Sequence, residues 1–196
     1  VRATRITYVG ELGWELYVPA SFATGVFDLL TEHGQEYGLR NAGYYAMNAL
    51  RLDKGYRAFG PELNPDYAPL EAGLMFTVDL DGKRDFIGRD ALLRRRDAGL
   101  QRRLVGFRLE DSEPMMWGGE LLKRDGVACG QVTSAAWSLT AQACVGLAYV
   151  WEPQGGLVDA TTLTQGTWSV NIGGLQVGAQ VSLKPWYDPN NERIRC

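Results

Sequence analysis

A single histidine, His33, among 196 residues leaves little room for several kinds of chemistry. A Ser-His-Asp triad or a multi-histidine metal site would have to be built around that one ring, so both are disfavoured. Late in a helix-like segment, His33 reads as an ordinary surface or half-buried residue with no role. Cysteine is almost as scarce. Cys129, Cys144 and Cys196 include no CxxC pair, so neither a disulfide framework nor a zinc or dithiol site is expected, and a reducing compartment is. Charge excess is missing too. Twenty Lys and Arg against 23 Asp and Glu give a net charge of -3, which removes the counterion-release drive for general nucleic-acid binding. No apolar run approaches bilayer length, and no GxGxxG follows a strand to open a helix, which argues against a membrane span or a dinucleotide site here. Val1-Arg2-Ala3-Thr4-Arg5 offers neither an initiator Met nor an apolar signal core, and the chain is read as a piece of a longer one.

What is present is globular: 45% hydrophobic and 22% charged residues, at a length that buries about two-thirds of the extended surface. Two β-rich runs, 5–9 and 14–18, predict a hairpin joined by the four residues Gly10-Glu11-Leu12-Gly13. In the second run Trp14, Leu16 and Val18 alternate with Glu15 and Tyr17, which puts Glu15 on the other face from its apolar neighbours. Ser21 is placed to cap a helix in which Phe22, Val26, Leu29 and Leu30 share a face, ending near Gly34 or Gly38. A second helix is expected over 43–54, with Tyr45, Ala49 and Leu52 on one face and Gly55 as its stop.

Pro61, Pro65 and Pro69 exclude helix and central strand from 59–72, which reads as an ordered loop. A strand over 74–80, a turn at 81–83 and a short charged helix over 88–96 follow. Beyond Gly99 six strand-length runs, at 103–109, 120–123, 128–135, 143–150, 168–172 and 176–183, predict a small antiparallel barrel or sandwich. The fold class is therefore α+β, divided into 1–99 and 100–196. Arg94, Arg95, Arg96, Arg102 and Arg103 are read mainly as a solvated face that complements a helix end, and Cys129 and Cys144 as small core residues.

The hairpin carries the candidate chemistry. Tyr8 before the turn and Glu15 after it bring an aromatic ring and a carboxylate towards one surface. Ionised Glu offers two coplanar acceptor oxygens to a ligand edge with adjacent N–H donors, as reduced pterins and purines have.

Tyr8-Val9-Gly10-Glu11-Leu12-Gly13-Trp14-Glu15-Leu16 resembles the Y-x-G-E-x-G-x-E-[ILV] hairpin of the aminomethyltransferase (glycine-cleavage T-protein) superfamily. Arg51-Leu52-Asp53-Lys54-Gly55-Tyr56-Arg57, Pro69-Leu70-Glu71-Ala72-Gly73-Leu74 and Asp85-Phe86-Ile87-Gly88-Arg89-Asp90-Ala91-Leu92 fit the same pattern in order. Leu-Asp-Lys-Gly-Tyr-Arg, the run from Ala98 to Val105, and Tyr187-Asp188-Pro189-Asn190-Asn191 are similar to the folate-binding C-terminal part of sarcosine and dimethylglycine dehydrogenases, more so to the former.

The resemblance implies an aminomethyltransferase-like fold in which the carboxylate matching Glu15 holds the pterin edge and Tyr8 lines the pocket of tetrahydrofolate. It implies that the parent oxidises an N-methyl amine on FAD in an N-terminal flavin domain, the partner of this part, and passes the one-carbon unit to the folate. Where glycine-cleavage enzymes place an arginine this chain has Met47, as the amine dehydrogenases tend to. The family's catalytic aspartate belongs to a segment before Val1, so no catalytic residue is expected within these residues. A reducing compartment is met by bacterial cytoplasm or the mitochondrial matrix. The alternative is a non-catalytic regulatory or scaffold protein of the same fold, which would need only the packing motifs.

Overall fold

A computed structural model describes residues 1–82 and 84–195. The expected turn at 81–83 includes Lys83, which lies outside the described residues, as does Cys196.

Six strands close into an antiparallel barrel: β3 Arg102–Leu109, β4 Leu121–Arg124, β5 Val127–Ser138, β6 Ala143–Trp151, β7 Trp168–Ile172 and β8 Leu175–Ser182, ordered β3-β6-β5-β4-β7-β8 with β8 returning to β3. Each expected barrel strand is present, and the barrel alternative holds over the sandwich. Alternation explains the closure. Along β3, Val105, Phe107 and Leu109 enter the core that Leu122, Val132, Val170 and Val177 complete. β6 is buried on both sides: Cys144, Ala148 and Val150 face the inner core, while Val145, Leu147 and Tyr149 join Leu104 and Leu52 in a second cluster. Leu52 comes from a helix laid on the outside of the barrel, where burying such a side chain stabilises by about 1.5–3 kcal/mol.

That helix, α2 (Tyr44–Asp53), ends close to its expected limit. Its buried residues are Arg51, Leu52 and Asp53, whereas Tyr45, expected on the apolar face, is exposed. Gly55 stops the helix at φ 67°: its N–H donates to Leu52 O and the N–H of Tyr56 to Arg51 O, the pair of bonds that satisfies a helix C-terminus. The sequence 59–72 is a turn-rich loop, as the prolines require, and it packs against β6 by stacking Tyr67 on Tyr149 at 3.7 Å. A second turn of the same kind closes it, with Leu74 N–H donating to Pro69 O and Gly73 at φ 69°.

Three further expectations are corrected. The hairpin pairs β1 (Arg2–Arg5) with β2 (Trp14–Tyr17), so residues 6–13 form a connection twice the expected length and Tyr8 stands in it, not in a strand. The helix α1 (Ala23–Gly34) takes no side-chain cap from Ser21; a 3₁₀ turn at Ala20–Phe22 leads into it, with Phe22 N–H bonded to Pro19 O. Residues 74–80 form no strand: Met75–Thr77 is a 3₁₀ turn whose Thr77 hydroxyl bonds Leu74 O, a local bond that competes with extension. The charged helix α3 (Arg89–Ala98) is present, and a short helix α4 (Ala160–Thr164), capped by Asp159 on the N–H of Thr162, was not expected. Among the described residues no helix is long and apolar enough to cross a membrane.

Candidate functional site

Where α2 ends against the barrel, the chain turns through Gly55, Tyr56 and Arg57 and meets two other segments. One is the 6–13 connection, the other the tail after β8. Between them opens a cavity of about 520 Å3, lined by Tyr8, Tyr56, Lys54, Arg57, Phe76 and Asn191 among others.

Each wall has a local cause. The helix-terminating bonds at Gly55 deliver Tyr56 to the cavity. Gly10, at φ 81°, brings the 6–13 connection so close to the Lys54 stem that a Cβ there would lie 3.0 Å from its carbons. Tyr8 is thereby laid along Tyr56, ring centroids 6.4 Å apart and planes within 18°, and its hydroxyl donates to Arg57 O at 3.1 Å. Burial pushes both phenols above their ordinary value, so both stay protonated donors at neutral pH. The tail is fastened from the other side: Lys54 Nζ bonds Asp188 Oδ2 at 2.7 Å, and Tyr187 donates its hydroxyl to Glu11.

Beneath the cavity lies a buried polar cluster. Glu62 takes Arg51 Nη1 at 3.0 Å and Ala58 N–H at 2.9 Å on Oε2, and the Ser134 hydroxyl at 2.6 Å on Oε1. Arg51 also donates to Tyr56 O and Asn48 Oδ1. One ion pair thus anchors loop, helix, barrel strand and the turn carrying Tyr56. Glu71 does similar work nearby, accepting from Arg102 Nε at 3.0 Å and, more loosely, from Arg95. Two of the arginines read as a solvated face are therefore partly structural.

Of the sequence-predicted site residues, Tyr8 lines the cavity. Glu15 sits on β2 opposite Thr4, exposed, with Oε2 accepting from the Tyr17 hydroxyl at 2.9 Å, and is not among the cavity's lining residues. Met47 is half-buried on α2 and lies outside the lining. In the sequence Lys54, Tyr56 and Arg57 belong to a family motif and carry no site role of their own. The signal that could have singled them out is Gly55, because a helix stop places its following residues at the helix end. Cys129 and Cys144 are core residues as expected, and burial raises both thiols, that of Cys129 to about 11. Among the described residues no cluster of His, Cys, Asp and Glu is arranged to hold a metal.

Two family models match in series: the GCVT N-terminal domain over residues 1–82 and the glycine cleavage T-protein C-terminal barrel domain over 102–188. The chain belongs to the glycine cleavage T-protein family. Human mitochondrial sarcosine dehydrogenase is 42% identical over 195 residues, all of this chain and 21% of the relative's length. The mitochondrial pyruvate dehydrogenase phosphatase regulatory subunit of Mus musculus is 36% identical over 194 residues, 94% of this chain and 22% of its own. The aminomethyltransferase T of the Bartonella henselae glycine cleavage system superposes with a TM-score of 0.81 at 24% identity, over 95% of this chain and 50% of that one, which bears on the fold alone. The chain therefore spans about a fifth of the length of these two relatives.

Proposed function

We propose that this chain is the tetrahydrofolate-binding part of a flavin-dependent, sarcosine-type N-methyl amine dehydrogenase that passes the one-carbon unit to tetrahydrofolate. The observation that carries the reading is the pair of tyrosine rings, Tyr8 and Tyr56, walling a cavity of about 520 Å3 in a T-protein family chain. Flat rings suit a flat heterocycle, and the protonated Tyr56 phenol suits its polar edge, the Tyr8 hydroxyl being spent on Arg57 O. Glu15 stands on the strand that follows the 6–13 connection and supplies the acceptor pair for pterin N–H groups, exchanging its bond from Tyr17 for bonds to the ligand.

Tetrahydrofolate supplies the amine that accepts the one-carbon unit; this chain binds and orients it. Tyr8 and Tyr56 hold the plane, the Arg51–Glu62 pair holds Tyr56, and the tail fastened by Lys54 excludes water from one side. The domain division at 99–100, FAD in a separate flavin domain, and a matrix or bacterial cytoplasmic setting belong to the same proposal.

The test is tetrahydrofolate titration of the full-length protein. Glu15→Gln replaces one acceptor by a donor facing a pterin N–H, costing about 1–3 kcal/mol, so affinity falls roughly tenfold or more. Tyr8→Ala weakens binding through lost contact area while amine oxidation by the flavin continues. An unchanged dissociation constant for Glu15→Gln removes Glu15 from the site.

Similarity to a phosphatase regulatory subunit favours a second reading, a non-catalytic scaffold of the same fold. That reading is supported if the full-length protein binds tetrahydrofolate without forming methylenetetrahydrofolate from an N-methyl amine, or binds none.

A further inference from the structure

The cavity holds two cations, and they are treated differently. Lys54 is neutralised: its ammonium sits on the Asp188 carboxylate with both side chains nearly inaccessible. Arg57 is not. It spends Nε on Ala72 O at 2.9 Å and Nη1 on Gly55 O at 2.8 Å, which clamps the two glycine turns together, yet both partners are neutral carbonyls. Among the described residues no carboxylate forms an ion pair with it. Glu62 acts on it only through space, being held by Arg51, Ala58 and Ser134. Burial depresses the guanidinium's proton affinity, the expected result of moving a cation out of water without a counterion. Neutral donors would clamp two carbonyls as well, so the clamp alone does not account for a charge placed on a cavity wall.

We infer that Arg57 is a carboxylate-binding residue, and that an anionic group of the cavity's ligand completes the ion pair the protein leaves open. An arginine fork gives a carboxylate two parallel N–H bonds, and Nη2, which packs against Gly73 but makes neither of the clamp's hydrogen bonds, can take part. The inference rests on the folate reading of this cavity and deepens it. The glutamyl tail of tetrahydrofolate meets that chemistry.

The experiment compares ligands with and without the acid, in the full-length protein. Tetrahydrofolate and tetrahydropterin share the ring, but only the first has carboxylates. With the folate tail on Arg57, the wild type prefers tetrahydrofolate by roughly tenfold or more, Arg57→Gln brings the preference near unity, and Arg57→Lys keeps part of it. If Arg57→Gln keeps the wild-type preference, the inference is overturned while the folate reading stands. If wild type binds neither pterin ligand, the folate reading fails and the inference with it. Should Arg57→Gln not fold, ionic strength decides in the wild type: a steeper loss of affinity with salt for the carboxylate ligand than for tetrahydropterin supports the ion pair, and parallel losses overturn it.

Discussion

Lys54 Nζ lies 2.7 Å from Asp188 Oδ2, joining the last turn of α2 to the tail across 134 positions of sequence. The Lys54 bond holds the Asp188 carboxyl below the ordinary carboxylate range, helped by the N–H groups of Glu192 and Arg193. A carboxyl depressed in the folded state adds stability above its unfolded value of about 3.9, and that stability disappears as pH falls through the lower folded value. Asp188→Asn is therefore expected to melt below wild type at neutral pH, with the gap closing in acid beneath the usual carboxylate range. Calorimetric melting of both proteins across pH checks it; a gap that persists in acid contradicts the assignment.

The Arg51–Glu62 pair has almost no solvent contact, with side-chain exposures of 2% and 0%. Glu62→Gln keeps the shape but leaves Arg51 charged and buried without its counterion, a change that typically costs about 3–5 kcal/mol. Urea unfolding should show that loss, and the double change Arg51→Met with Glu62→Leu should recover part of it. A Glu62→Gln protein as stable as wild type would mean the pair is bystander to the fold.

Cys129 and Cys144 are sealed in the barrel and their thiols are pushed up by burial, Cys129 to about 11. Neither is expected to react with thiol reagents in the native protein at neutral pH, since the thiolate is the nucleophile. Peptide mapping after alkylation should find both unmodified, and both modified once the protein is unfolded.

Gly146 lies on β6 where a Cβ would come 2.5 Å from Ser134 O and 2.7 Å from the Phe107 ring. Gly146→Ala must push strand or ring aside, with an expected loss of about 1–3 kcal/mol. Chemical denaturation measures it, and an unaltered midpoint would show that the barrel yields more readily than its packing implies.

The barrel was legible because its signal is local. Val105, Phe107 and Leu109 alternate with Gly106 and Arg108, and such a pattern needs no distant partner to be read. The hairpin was legible in kind and wrong in register. The 5–9 run looks extended, but Tyr8 turns away to Tyr56 and Arg57, residues about fifty positions later that no local pattern contains. The cavity suffered in the same way. Tyr8 was named through a motif, whereas Arg57 and Lys54 acquire meaning only from Ala72 and Asp188, which folding brings beside them. The α4 cap is readable: Asp159 is a residue type that favours the N-cap, and its carboxylate takes the N–H of Thr162.

Ring closure of the barrel has a bearing on how this chain meets other strands. With β8 bonded back to β3, the barrel presents no unpaired row of backbone donors and acceptors along its circumference. The two-stranded sheet of β1 and β2 is not closed in this way: among the described residues each of its strands pairs with the other alone. A further strand, whether from the same polypeptide or another, thus finds its open partner in the two-stranded sheet, and the six-stranded ring can be crowded at high concentration without offering a place to zip.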